Sequence, residues 1–171
     1  MKQLRQKKLF LLDIDGTICK GEGLIDGAKA FLETIRQSGG QFIFITNNAT
    51  RGTRDYIRFF RRLGVETGPD QYITAAYATI QYLKKHCSDR LIYGLATDSF
   101  LQECRENGLR ITTSLQSGID CVLVSYDNQL NYDKIKDVCR LLTEGEPEYI
   151  ATNPDLVCPV EFGYLPDCGA I

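Results

Sequence analysis

Hydrophobic and polar positions alternate between short continuous apolar runs and stretches with an apolar residue every three or four positions. The first run, Leu9 to Leu12, is short and unbroken, the pattern of a buried parallel strand. It ends in Asp13, Ile14, Asp15 and Gly16. A loop of about ten residues follows, punctuated by Gly16, Gly21, Gly23 and Gly27, longer than most strand-to-helix connections and therefore a place to look for function. Ala28 to Gln37 carries Ala28, Phe31, Leu32 and Ile35 at helical spacing, and Ser38-Gly39-Gly40 supplies its stop. Gln41 to Ile45 reads as a second buried strand that ends in Thr46-Asn47-Asn48. Thr53 or Asn48 caps the next predicted helix, which runs to about Leu63 with Tyr56, Phe59, Phe60 and Leu63 on its apolar face; Gly64 stops it.

From Thr74 the pattern restarts. A helix is predicted over Ala75 to His86 with Thr74 as its cap, a strand over Arg90 to Ala96, and a helix over Ser99 to Asn107. Cys121 to Ser125 is the next strand, Tyr132 to Leu142 a helix, and Glu148 to Thr152 a strand broken by Asn153-Pro154-Asp155. The remainder, with Pro159, Gly163, Pro166 and Gly169, reads as turns or a short hairpin. Strands alternate with helices throughout, which predicts the α/β class with parallel sheets.

Composition changes this picture little. The hydrophobic fraction of 43% and charged fraction of 25% are those of an ordinary globular protein, and 171 residues suffice for one full domain or a small domain with part of another. Lys+Arg number 20 against 22 for Asp+Glu, a net charge of -2, so there is no basic footprint for nucleic acid. The amino terminus, Met1 to Lys8, is basic, but the apolar run behind it is too short for a secretory segment or a membrane span, which predicts a cytoplasmic protein with no membrane partner. The arginines 51, 54, 58, 61 and 62 fall away from the apolar stripe and read as a solvated face. Seven widely spaced cysteines without a C-x-x-C are read as free, mostly structural thiols, and His86 at a helix end as a partner of the helix dipole.

The chemistry lies at the end of the first strand. Side chains alternate along an extended chain, so Asp13 and Asp15 point the same way, about 6.5 Å apart along the backbone, and Ile14 points opposite. Two carboxylates at the carboxyl end of a strand sit where open α/β sheets place ligands, and they call for a cation or a chemical step that uses them. An unperturbed aspartate, with a pKa of about 3.9, is ionised at neutral pH, so Asp13 needs no base to act as a nucleophile. Its neighbour Asp15, beside another negative group, is pushed towards holding a proton and acting as an acid. Gly16 and Thr17 give a tight turn and a hydroxyl near a transferred group, while Thr46 and Asn47 offer a second hydroxyl and an amide. Phosphoryl transfer through an aspartyl-phosphate is the chemistry this set supports.

Asp13-Ile14-Asp15-Gly16-Thr17 resembles the first motif of the haloacid dehalogenase superfamily, and Thr46-Asn47-Asn48 its second. Gly21 to Ala28, Ile73 to Leu83, Ala151-Thr-Asn-Pro-Asp155 and Leu165 to Ile171 resemble the branch of NagD-like and p-nitrophenylphosphatase-like hydrolases that carries an α/β cap. The resemblance implies a Rossmann-like core with an inserted cap. Residues 1–72 would form the amino-terminal part of the core, 73–166 the cap, and 167–171 the start of the return to the core. It implies that Asp13 is the nucleophile and a Mg²⁺ ligand, and that Asp15 is the general acid/base with its carbonyl on the metal. Thr46 would bind the phosphoryl oxygen with Asn47 beside it. Gly16 and Thr17 would line the substrate site, and Asn153 and Asp155 would reach the substrate, a small phosphorylated metabolite. Caps of this kind often contribute to homodimers in the family.

The family also uses a lysine and further acidic residues that normally follow the cap, and the sequence ends at Ile171. None of Lys84, Lys85, Lys134 and Lys136 falls at the end of a core strand. Two unit charges at about 4 Å repel by roughly 1 kcal/mol in water and 4 kcal/mol at an effective dielectric of 20. Losing one preorganised donor costs about 10²–10³ in rate. The 171 residues alone are therefore expected to be inactive or nearly so. They are expected to be a fragment of a protein of roughly 250 residues or more, in preference to a degenerate copy held by a partner. Two rival classes are a phospho-acceptor signalling domain, which lacks an acid two residues after the acceptor, and a non-catalytic phosphate- or metal-binding module.

Overall fold

The computed structural model describes residues 6–160 and 162–171. Of the basic stretch Met1–Lys8, the first five residues lie outside the described ones. The chain divides into two compact units, one running to Thr46 and resuming over Thr53–Thr74, the other comprising Asn47–Gly52 and Ala75–Ile171.

The first unit contains β1 (Leu9–Asp13), a short antiparallel pair β2 (Cys19–Lys20) and β3 (Gly23–Leu24), α1 (Ala28–Gln37), β4 (Gln41–Thr46), α2 (Thr53–Arg62) and β5 (Tyr72–Thr74). The β2–β3 pair lies within what reads from sequence as a plain loop. Three parallel strands stand in the order β1-β4-β5, with Leu9 opposite Gln41, Asp13 opposite Ile45, and Thr46 opposite Thr74. Two successive crossovers in the same direction across a sheet put both helices on one face. That face is the core: Leu32 and Ile35 of α1, Phe42 and Phe44 of β4, Tyr56, Phe59 and Phe60 of α2, and Tyr72 of β5 form one buried cluster. The Phe44 and Phe60 rings stack at 4.3 Å with 8° between planes, and Tyr56 stacks on Tyr72 at 5.9 Å. The glycine stop of α1 works by backbone geometry. Gly39 takes φ +70°, letting its N–H reach the Arg36 carbonyl and that of Gly40 reach the Ile35 carbonyl.

One expectation needs correction. Leu9 to Leu12 is not a buried run: Leu9 is 53% and Leu11 58% exposed, while Phe10 and Leu12 are half-buried against the core. With α1 and α2 on one face, alternate residues of β1 turn to the other face, and among the described residues β1 has a single sheet neighbour, β4.

The second unit adds α3 (Ala75–His86), β6 (Leu91–Leu95), α4 (Asp98–Glu106), β7 (Arg110–Thr112), β8 (Ile119–Val124), α5 (Tyr132–Glu144), β9 (Glu148–Ala151) and the antiparallel hairpin β10 (Val157–Val160) and β11 (Gly163–Pro166). Its four parallel strands run in the order β7-β6-β8-β9. Here both faces are covered. Ile92, Cys121 and Leu123 pack with Ile80, Leu83, Phe100 and Leu101 from α3 and α4, while Tyr93, Leu95, Val122 and Val124 pack with Val138 of α5 and Cys168. The tail 167–171 therefore packs in the second unit. All seven cysteines are free thiols and five are buried. His86 stacks on the Tyr82 ring at 4.4 Å. Among the described residues no helix is long and apolar enough to cross a membrane.

Two outcomes follow for stability. Phe44→Ala, in the fully enclosed stack, is expected to cost about 3–5 kcal/mol, whereas Leu11→Ala on the open face costs under about 0.5 kcal/mol; urea titrations of the two variants compare them directly. Burial pushes the Tyr72 phenol up to about 12 despite the Thr67 hydroxyl 2.6 Å away, which lowers it. Burial likewise pushes the Tyr93 phenol up to about 12. Above the ordinary value of 10 the unfolded chain loses these protons first. Stability is therefore intact below pH 10 and falls as pH rises towards 12. Alkaline unfolding followed by circular dichroism is expected to start later in Tyr72→Phe; an unchanged curve contradicts the assignment.

Candidate active site

Asp13 is the last residue of β1, and the chain then folds tightly around one carbonyl. The Ile14 oxygen accepts from the N–H groups of Thr17, Ile18 and Cys19 at 3.3, 3.0 and 2.8 Å, and the Gly16 N–H donates to the Cys19 carbonyl at 2.8 Å. Ile14, Ile18 and Cys19 anchor this turn in the core, while Asp13 and Asp15 are both exposed on either side of buried Ile14. Gly16 stands at φ +82°, the left-handed region in which an L side chain is strained. The Thr17 hydroxyl donates to Oδ2 of Asp13 at 2.9 Å, so one carboxylate oxygen is oriented by a neighbour four residues on. Thr46, buried at the carboxyl end of β4, lies one register step beyond the Asp13–Ile45 pair.

The second unit holds the other predicted residues. Asn47 donates its side-chain amide to Oδ2 of Asp155, and its main-chain carbonyl accepts from Nδ2 of Asn153 at 3.2 Å. Asn153 is 9% exposed; its Nδ2 also reaches Oδ1 of Asp167 at 3.4 Å, and its Oδ1 accepts from the Asp155 N–H at 2.9 Å. Sequence reading gives Asn153 and Asp155 to the substrate; here the Asn153 side chain and one Asp155 carboxylate oxygen are bonded within the chain. Gly169 closes this loop: a Cβ there would come 2.3 Å from the Pro154 carbonyl oxygen, and its N–H donates to the Asp155 carbonyl at 2.8 Å. Asn48, a candidate helix cap, instead accepts from the N–H and hydroxyl of Thr50 at 3.0 and 2.7 Å in a local turn.

Sequence comparison resolves the ancestry of this arrangement. A family model described as haloacid dehalogenase-like hydrolase matches residues 10–110, spanning both the Asp13 turn and the Thr46-Asn47 strand end. The chain belongs to that family. Within it the chain is NagD-like. It is 31% identical over 168 residues to an acid sugar phosphatase of Staphylococcus aureus strain MRSA252, a match covering 98% of this chain and 64% of that protein. Its fold superposes with a TM-score of 0.86 on a putative NagD protein, at 34% identity over 96% of this chain and 63% of the other. A 4-nitrophenylphosphatase from Thermotoga maritima gives 0.85 and 34% identity, covering 98% of this chain and 62% of that one. The chain thus spans a little under two thirds of the length of these relatives.

Several polar residues of the chain escaped sequence reading. Asp127, with its side chain wholly buried, pairs with Nζ of Lys134 at 2.6 Å, and that Nζ also donates to the Ala96 carbonyl at 3.3 Å. The Thr97 hydroxyl donates to the Thr50 carbonyl at 2.9 Å and accepts from the Phe100 N–H as the cap of α4, and the Ser99 hydroxyl accepts from the Gly52 N–H at 3.0 Å. The available signal was positional: Thr97 and Ser99 lie just past the end of β6, and Asp127 just past β8. Three of the arginines read as a solvated face are largely exposed and pair at the surface, Arg58 with Asp55, Arg61 with Glu66 and Arg62 with Glu22.

The donors at the Asp13 turn are carboxylates, a hydroxyl and backbone carbonyls. This hard-oxygen set fits Mg²⁺, which takes one or two carboxylates and completes its shell with water and substrate phosphate. Among the described residues no three acidic, histidine or cysteine side chains converge to form a closed cage. The turn itself can be tested by backbone strain alone, because nothing lies within 4 Å of a Cβ built on Gly16. Gly16→Ala is expected to cost about 1–2 kcal/mol and Gly16→Asn less; equal denaturation midpoints for wild type and Gly16→Ala would contradict this.

Proposed function

We propose that the hydrolase is a Mg²⁺-dependent phosphatase that cleaves small phosphomonoesters, sugar phosphates among them, through an aspartyl-phosphate on Asp13. The observation that carries this reading is the Asp13 carboxylate, exposed at the carboxyl end of a parallel strand and oriented by the Thr17 hydroxyl. It gains support from the acid sugar phosphatase and 4-nitrophenylphosphatase relatives. Asp13 and the Asp15 carbonyl would hold the Mg²⁺, which supplies charge neutralisation at the phosphoryl group.

In the first step an Asp13 oxygen attacks phosphorus and the bond from phosphorus to the leaving oxygen breaks, with Asp15 giving that oxygen its proton. In the second, Asp15 takes a proton from water as the water oxygen attacks the same phosphorus, and the bond to Asp13 breaks to release inorganic phosphate. Thr46 and Asn47 bind phosphoryl oxygens during both steps. The family's lysine and further acids have no counterpart assigned among these 171 residues, so turnover by the chain alone is low. Its working setting is the cytoplasm.

The test is release of p-nitrophenol from p-nitrophenyl phosphate by the product of the complete reading frame. Release that needs Mg²⁺, stops with chelator and vanishes in Asp13→Asn supports the reading; the 171-residue chain is expected to be at least about 10²-fold slower. Undiminished release by Asp13→Asn removes the nucleophile. Binding of Mg²⁺ and phosphate without turnover makes the protein a binding module instead.

A further inference from the structure

The segment Asn47–Gly52 leaves the sheet directly after Thr46, yet it is built into the second unit. Ala49 is fully buried there among Ile80, Ile92, Phe100 and their neighbours. Polar groups fix the segment at both ends. Thr97 holds the Thr50 carbonyl and Ser99 the Gly52 N–H, while Asn47 is gripped twice, by its carbonyl through Asn153 and by its amide through Asp155. Asn153 and Asp155 are themselves tied together, by the Asp155 N–H donating to the Asn153 side chain, and backed by Gly169 and Asp167.

A side-chain amide that donates to a carboxylate is restricted in rotation, and a charge-assisted bond of this kind is roughly twice as strong as a neutral one. The Asn47 side-chain oxygen is then fixed opposite to the engaged NH₂, with one remaining amide hydrogen in a set direction. A buried asparagine whose Nδ2 and Oδ1 are all bonded within the chain, as in Asn153, has little left for a ligand.

We propose that Asp155 and Asn153 are positioning residues for Asn47, presetting the amide beside the transferred phosphoryl group, and do not contact the leaving group. This rests on the phosphatase reading for the role of Asn47, but the clamp itself does not. Its consequence is that losing Asp155 harms catalysis through the phosphoryl side. The rate loss is the same for every ester and disappears when Asn47 is already gone. A group set about 1 Å out of place costs up to about 10²-fold in rate, which sets the scale of the loss.

Two measurements decide it. In the 171-residue chain, ¹⁵N NMR reads the solvent exchange of the Asn47 side-chain NH₂. Exchange is expected to speed up in Asp155→Ala and to return towards wild type in Asp155→Asn, which keeps an acceptor oxygen. Equal exchange in all three overturns the clamp whatever the enzyme does. In the active protein, kcat/KM is compared for p-nitrophenyl phosphate and an alkyl phosphate in Asp155→Ala, Asn47→Ala and the double variant. Equal loss on both esters, with the double variant no slower than Asn47→Ala, supports positioning. A loss that differs between esters, or that adds to the loss from Asn47→Ala, assigns Asp155 to the leaving group and overturns the proposal. Absence of turnover in the wild-type protein removes the phosphatase reading and leaves the NMR result to judge the clamp.

Discussion

Parallel register is the constraint on which the first unit depends. Because β1, β4 and β5 run the same way and pair in step, their carboxyl ends fall at one level, and Asp13, Thr46 and Thr74 are delivered there by strand length alone. The stack of Phe44, Phe60, Tyr56 and Tyr72 holds that register from beneath. A one-residue slip of β4 would turn Phe42 and Phe44 out of the core and Ile43 and Ile45 into it. The same slip would reverse the face of Thr46. Chemistry at the strand ends and packing under the sheet are thus one decision made by the sequence.

The two sheets differ in how they are covered, and that difference explains where sequence reading succeeded and failed. Helices α1, α3 and α5 begin where their apolar spacing predicts, and α1 ends at its glycines, because amphipathic period and a glycine stop are local. The continuous apolar run Cys121 to Val124 of β8 is buried throughout, with helices against both faces. Burial was read for Leu9 to Leu12 and failed because continuity of apolar residues reports that both faces are suited to burial, and says nothing of what lies against them. The short strands β5 and β7, three residues each, carry too few positions for a period and exist through their neighbours.

At the site, the legible part was the part written within a few residues. The alternation of Asp13, Ile14 and Asp15, the turn at Gly16 and the nearby Thr17 hydroxyl all follow from local geometry. What could not be read was the fate of residues far apart in sequence. The pairing of Asn47 with Asp155 joins positions separated by 108 residues, and that of Thr50 with Thr97 joins positions 47 apart. Asp127 and Lys134 are closer in sequence, but their pairing depends on Asp127 being carried under the end of β8, where a charge needs a partner.

Electrostatics ties these pieces to the proposed chemistry. Asp13 is exposed, so its carboxylate is well hydrated at rest. The cost appears only when a phosphate dianion enters and water leaves, since removing solvent strengthens the repulsion between the two. Cations must neutralise that charge, and two of the lysines named from sequence already have acidic partners: Lys134 with buried Asp127 and Lys136 with Asp133. The segment Asn47–Gly52 is held by amides, hydroxyls and the Asp155 carboxylate, and Arg51 within it carries a positive charge of its own. In the proposed reaction orientation and neutralisation are therefore separable: the grip on Asn47 serves the first, and the second falls to the metal and to cationic side chains.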